Sequence, residues 1–209
     1  MKLTFISDTH NHHSKLNLTS GDILIHCGDF TNKGSISDVE NFSTWMQKQN
    51  FKYKIVISGN HDFGLEDERR FVSESLLKEK DIIYLNDTGI EIKGIKFWGS
   101  PVQPAFRNWA FNKERGEEIK KHWDLIPQNT DVLITHGPAF GILDKCKTGE
   151  NVGCKELLTA VNNIKPKIHA FGHIHEAYGT QETNGIKFIN ASNLNELYQC
   201  SNLPISLEI

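Results

Sequence analysis

Five short apolar segments, each ending abruptly in Asp, His or Asn, constrain this chain more than anything else in it. Leu3 to Ile6 runs into Asp8-Thr9-His10, and Ile23-Leu24-Ile25-His26-Cys27 into Gly28-Asp29. Ile55 to Ile57 runs into Gly59-Asn60-His61-Asp62, Val132 to Ile134 into His136-Gly137, and Ile168 to Phe171 into Gly172-His173-Ile174-His175. Near-continuous apolar runs of this length read as strands buried on both faces, the mark of a parallel sheet covered by helices. In α/β sheets ligands bind beyond the carboxyl ends of the strands, which is where all of these polar groups stand.

The intervening sequence predicts the helices and the edges. Ser37 and Glu40 have capping-box spacing, and Ile36, Val39, Phe42 and Trp45 or Met46 recur at helical period, giving a helix over Ser37–Gln49. A charged helix is predicted over Glu66–Lys80 with Phe71, Val72, Leu76 and Leu77 inward, and others over Lys113–Trp123 and Lys155–Asn162. Short strands over Ile82–Leu85, Ile90–Ile92 and Ile95–Trp98 suggest antiparallel strands appended to the βα units. Asn184-Gly185 is a type I′ hairpin signal, followed by strands Ile186–Asn190 and Ile205–Ile209. The loops 100–112, with Arg107 and Trp109, and 138–153 are long enough to shape a pocket. No repeat or linker interrupts the chain, so residues 1–209 are expected to form a single domain.

Composition enters mainly to exclude. A net charge of -3 leaves no basic stripe for an extended nucleic-acid surface or an anionic membrane, and no apolar run approaches membrane-spanning length. The chain opens without a secretory pattern, and Cys27, Cys146, Cys154 and Cys200 are scattered without paired spacing, which fits reduced thiols in the cytoplasm. A small molecule is therefore the expected partner.

The strand-end residues form a chemically consistent set. Asp8, His10, Asp29, Asn60, His136, His173 and His175 offer oxygen and imidazole nitrogen without thiolate. Such donors suit manganese foremost, with iron or zinc as alternatives. The set exceeds the needs of one ion and matches two divalent metal ions sharing one carboxylate, for which Asp29 is the candidate. Two dications against Asp8 and Asp29 leave a net positive site, able to hold a bridging hydroxide and a phosphoryl group, since coordination can bring bound water from a pKa of 15.7 toward about 7. His61 is a candidate general acid toward a departing alkoxide, a role worth about 10²–10⁴-fold. Asp62 is the candidate to orient that imidazole, directly or through a neighbour. Taken singly, each pair reads as ordinary loop residues; their order and shared position carry the metal reading. For His12 and His13 a flexible polar loop is favoured over a substrate contact, and His26, His122 and His169 fit packing within strand or helix patterns. For Arg107 and Trp109 a substrate-wall role and plain loop packing stand even.

The ordered set Asp8-x-His10, Gly28-Asp29, Gly59-Asn60-His61-Asp62, His136-Gly137 and Gly172-His173-x-His175 resembles the calcineurin-like metallophosphoesterase superfamily, over about Phe5 to Ser192. The resemblance implies a four-layer α/β/β/α sandwich of two mixed sheets flanked by helices, with a dinuclear centre at the strand ends. It places Asp8, His10, Asp29 and His175 around one ion, Asp29, Asn60, His136 and His173 around the other, and His61 as leaving-group acid. A narrower likeness runs through Gly99-Ser100-Pro101, Trp109-Ala110-Phe111-Asn112, His136 to Asp144 and Gly153-Cys154. It is to the small metallophosphoesterase-domain proteins, a group associated with phosphodiesterase activity, including on cyclic nucleotides. Asp62 and Ala139 depart from it, standing where those relatives often carry Glu and Pro. The likeness implies hydrolysis of a small phosphodiester, 2′,3′- or 3′,5′-cyclic nucleotides among them. The alternatives are a phosphomonoesterase or nuclease of the same superfamily, or a scaffold that keeps its metals.

Overall fold

In the computed structural model, which describes residues 1–209, the first half of the chain forms β1 (Lys2–Ile6), β2 (Gly21–His26), α1 (Ile36–Gln47), β3 (Phe51–Val56), α2 (Arg70–Lys78), β4 (Ile83–Tyr84), β5 (Thr88–Ile92) and β6 (Ile95–Ser100). The rest adds β7 (Gln103–Pro104), β8 (Asn112–Lys113), α3 (Glu117–Trp123), β9 (Val132–Thr135), α4 (Lys155–Ile164), β10 (Ile168–Phe171), β11 (Gly179–Thr183), β12 (Ile186–Asn190) and β13 (Ile205–Glu208). One sheet has the order β13-β1-β2-β3-β4 and the other β11-β12-β10-β9-β6-β5. The inner pairs of both are parallel: Ile23 lies between Leu3 and Tyr53, and Val132 between Ile168 and Phe97. Antiparallel β13, β11 and β5 close three of the edges, so both sheets are mixed.

Successive side chains on a strand point to opposite faces, and here both faces are covered. Leu3, Phe5, Ile23, Ile25 and Ile55 of the first sheet meet Phe97, Val132, Ile134 and Ile168 of the second. The alternate residues Ile6, Leu24 and Val56 pack against Val39, Phe42 and Met46 of α1 and Leu77 of α2. On the far side Leu133, Phe171 and Phe188 pack against Ile119 and Trp123 of α3 and Leu157 and Val161 of α4. Three cores between four layers explain why the strand runs are apolar at every position rather than at alternate ones. Each fully buried Leu, Ile or Phe contributes about 1.5–3 kcal/mol, and this frame holds the strand ends rigid. No helix is long and apolar enough to cross a membrane.

Several local expectations are corrected. Helix α1 is capped by Ser35, whose Oγ accepts from the Asp38 amide at 3.1 Å, and not by Ser37. Helix α2 starts at Arg70 rather than Glu66, and its buried face is centred on Ser73 and Leu77. Phe71 and Val72 therefore point outward, at 83% and 52% exposure. Helix α3 starts at Glu117, because Asn112 and Lys113 pair with Gln103 and Pro104 and Gly116 turns at φ +87°. Strand β4 is not antiparallel: after the α2 crossover it runs parallel to β3, Ile83 facing Ile55. The appended antiparallel pair is β5 with β6 alone, and the Asn184-Gly185 hairpin forms as expected, both residues at positive φ.

Candidate metal centre

The parallel strands β1, β2, β3, β9 and β10 all end at one rim of the sandwich, and their following loops converge there. The loops turn sharply to do so. Asp8, His10, Asp29 and His173 all sit at positive φ, a conformation that costs non-glycine residues energy and clusters at functional sites. Glycines supply the remaining space. A Cβ on Gly59 would overlap the Asp29 carboxylate and the His136 ring, and one on Gly172 would overlap Asp8 and Ser7.

All seven candidate ligands meet. Three groups have ligand atoms within 4.8 Å of one another: Asp8 with His10 and His175, His10 with Asp29 and His61, and Asp29 with His136 and His173. Asp29 Oδ2 lies 3.8 Å from His10 Nε2 and 3.4 Å from His136 Nε2. Asn60 Oδ1 is 3.0 Å and His173 Nδ1 3.2 Å from that same His136 Nε2. His136 Nδ1 donates to the Cys27 carbonyl at 3.0 Å, so Nε2 is the ring nitrogen that faces Asp29, Asn60 and His173. His10 is 1% exposed, and neither of its ring nitrogens has a hydrogen-bond partner. Oxygen and imidazole nitrogen atoms that converge this closely, beside an orphaned imidazole, fit a cation.

Electrostatics points the same way. Burial drives the His10 imidazole down to about 4 and that of His173 to about 3, so both offer neutral lone pairs at neutral pH. Burial also opposes charge on His136 and His175, but Asp29 beside the first and Asp8 beside the second outweigh it and lift each to about 9. The Asp8 and Asp29 carboxyls, which burial alone would raise, are held well below the usual range by those imidazoles. The two carboxylates thus stay ionised and favour positive charge beside them, at His136 and His175.

The arrangement fits a divalent-cation site. The calcineurin-like phosphoesterase family model matches residues 1–177. The chain belongs to the calcineurin-like phosphoesterase family. It is 39% identical to the human metallophosphoesterase domain-containing protein 1, over 98% of this chain and 69% of that one. A UPF0046 protein of Caenorhabditis elegans is 37% identical over 98% of this chain and 74% of its own. A solved structure from Thermus thermophilus superposes with a TM-score of 0.63 at 10% identity, covering 90% of this chain and 88% of its own, and shares the fold. Family membership makes the chain a metal-binding phosphoric ester hydrolase by class.

His61 stands at the edge of the cluster. Its Nδ1 donates to the Asn32 carbonyl at 2.9 Å, leaving Nε2 for the cleft. Asp62 does not bond that ring. Its Oδ2 accepts from the amides of Asp29 and Gly59 at 2.9 and 2.8 Å, and its Oδ1 from Thr31 N and Oγ1 at 2.9 and 2.7 Å. Asp62 thus ties together the loops that carry Asp29, Asn60 and the Asn32 carbonyl that accepts from His61. Burial first and the charge of Asp29 second raise its carboxyl to about 7.

The cluster floors a cavity of about 310 Å³ whose walls include Phe106, Arg107, Trp109, Glu176, Glu196 and Tyr198. His13 is buried against Phe42 and Trp45 with Nε2 2.9 Å from Asn41 Oδ1, as a packing residue. His26 bonds Thr9, His169 bonds Thr135 and His122 bonds Asp87, all as packing predicts. The sequence reading missed the strand β12 exit. Ser192 Oγ donates to Asp8 Oδ2 at 2.8 Å, Asn190 Oδ1 accepts from Ser192, and the Asn195 carbonyl accepts from His175 Nδ1 at 3.1 Å. The signal was present: Ile186 to Asn190 is a sixth apolar strand ended by polar residues, Asn190-Ala191-Ser192-Asn193.

Proposed function

We propose that the chain is a phosphodiesterase that hydrolyses a small phosphodiester with two divalent cations, manganese foremost. Asp29 carries this reading: one carboxylate oxygen stands between His10 and His136, so two half-sites share it. Asp8, His10, Asp29 and His175 would hold one cation, and Asp29, Asn60, His136 and His173 the other. When bound, the pair supplies Lewis acidity, which lowers the pKa of water and neutralises charge on the phosphoryl oxygens.

The remaining chemistry falls to side chains. His61, held at Nδ1 by Asn32, acts as an imidazolium and gives its Nε2 proton to the departing alkoxide oxygen as the P–O bond to it breaks, leaving a neutral ring. One water is consumed, one P–O bond forms and one breaks, and the products are a monoester and an alcohol. The cleft walls favour a diester over a monoester. Arg107 is the only Lys or Arg in the wall, whereas Glu176 and Glu196 repel a second phosphoryl charge. Cyclic nucleotides satisfy these demands of size and single charge. The test is turnover of bis(p-nitrophenyl) phosphate by Mn²⁺-loaded protein, beside a panel of monoesters and 2′,3′- and 3′,5′-cyclic nucleotides. Activity lost in Asp29→Asn and His61→Ala supports the reading. Turnover of no ester, or turnover indifferent to both substitutions, removes it.

A further inference from the structure

Trp109 lies in the cleft wall, and its indole is already engaged by two side chains. One face stacks on the His61 imidazole, centroids 4.2 Å apart and planes 29° from parallel. Lys33 Nζ lies 4.2 Å from the centroid of the same indole and 5.4 Å from that of Phe63. A ring already engaged in this way has little to offer a substrate base. His61 needs the support: the Asn32 bond anchors the Nδ1 edge of the imidazole, but one hydrogen bond leaves a ring free to pivot about it. The loops that bring the partners together are bonded to each other beside the stack, the Ala110 amide donating to the Asn60 carbonyl at 3.1 Å. Segment 31–34 supplies both the Asn32 acceptor and the Lys33 ammonium, and is itself held by Asp62 through Thr31.

We propose that Trp109, backed by Lys33, is the positioning residue for His61, holding the imidazole so that its Nε2 proton reaches the leaving oxygen. The proposal rests on the reading of His61 as general acid, and its test separates the two. The p-nitrophenyl and methyl esters of phenylphosphonic acid share a phosphoryl group and differ in leaving group. Nitrophenolate departs without a proton and methoxide does not, so a fault in proton delivery shows in kcat for the methyl ester. Trp109→Ala is expected to lower that kcat by about tenfold or more, and the p-nitrophenyl value by less than about threefold, with KM little changed. Trp109→Phe restores most of the loss, and Lys33→Met gives a smaller loss of the same selectivity.

A second readout is independent of turnover. The indole ring current shifts the His61 C–H proton resonances upfield, and Trp109→Ala abolishes that shift while Trp109→Phe keeps part of it. Equal losses on both esters, or a rise in KM alone, would make Trp109 a substrate wall and overturn the proposal. If His61→Ala itself lacks the leaving-group selectivity, the general-acid reading has failed and takes this one with it. If His61→Ala has it and the Trp109 variants do not, only the Trp109 role falls. Should Trp109→Ala not fold, Trp109→Phe and Lys33→Met decide by the same selectivity.

Discussion

His10→Leu should make the protein more stable in a chelator and less responsive to metal. The imidazole is 1% exposed, and burial holds it neutral at pH 7, so no ion pair is lost with it. Its two ring nitrogens are both without partners. Each buried unpaired polar group costs about 1–3 kcal/mol, while a leucine of similar volume placed without repacking gives back up to about 1.5 kcal/mol. The balance is a gain of roughly 0.5–6 kcal/mol without metal, or a Tm higher by at least about 1 °C for a chain of this size. With metal the order changes. Cation at a hundred times its dissociation constant stabilises the wild type by about 2.7 kcal/mol, and a variant lacking a ligand forfeits most of that. Thermal melts in EDTA and in graded Mn²⁺ read both effects. A variant that is less stable in EDTA, yet gains as much from Mn²⁺ as the wild type does, would show that His10 is an ordinary core histidine and refute the argument.

Other perturbations test separate parts of the frame. Asp62→Asn turns an NH2 group toward backbone donors at Thr31 or at Asp29 and Gly59, and should weaken cation binding by about 10–100-fold; calorimetric titration with Mn²⁺ checks this, and unchanged affinity would deny Asp62 its bracing role. Gly172→Ala forces a Cβ into Asp8 and Ser7 and should cost about 1–3 kcal/mol in urea unfolding, along with metal affinity; a silent substitution would mean that the loop yields freely. Burial pushes His169 down to about 3, so below its unfolded pKa of 6.5 the unfolded chain binds a proton that the folded chain refuses. Stability therefore falls as pH drops from 6.5 toward 3, by about 2–3 kcal/mol at pH 4.5. His169→Gln, which can keep the Thr135 bond, should flatten that slope in urea titrations at pH 7.5 and 4.5; equal slopes would refute the assignment.

How much of this was legible in the sequence follows from what each residue depends on. The strands and the seven clustered donors were legible, because an apolar run with a polar stop reports burial and strand end together. The phase of α2 was not. Phe71 and Val72 look like core residues, but the position that packs inward is Ser73, small enough to lie beside Gly64, whose added Cβ would stand 3.3 Å from Ser73 Oγ. The start of α3 was hidden by the β7–β8 pair, a contact between segments whose conformation no local pattern encodes. Ser192 and Asn195 were missed because they hold ligands in place, by a hydroxyl and a backbone carbonyl, and neither group distinguishes one residue from its neighbours in a sequence.

The strain at the rim and the excess of apolar packing beneath it belong to one design. Asp8, His10, Asp29 and His173 all adopt left-handed backbone, at a cost of order 1–3 kcal/mol each where it is held by its surroundings. His10 adds an orphaned imidazole. A free chain would relax all of these. It does not, because each strained residue lies within four residues of a strand exit, with the ladder on one side and bonds to other loops on the other. The Asp8 amide donates to the Gly28 carbonyl, the His10 amide to the Asp29 carbonyl, and the His173 amide to Asp8 itself. The strained positions thus brace one another, and the brace can open only if β1, β2 and β10 part. Three apolar cores oppose that parting. The prediction for His10→Leu follows from the same logic: relief at the rim should appear as extra stability, because the layers below already exceed what holding the site requires.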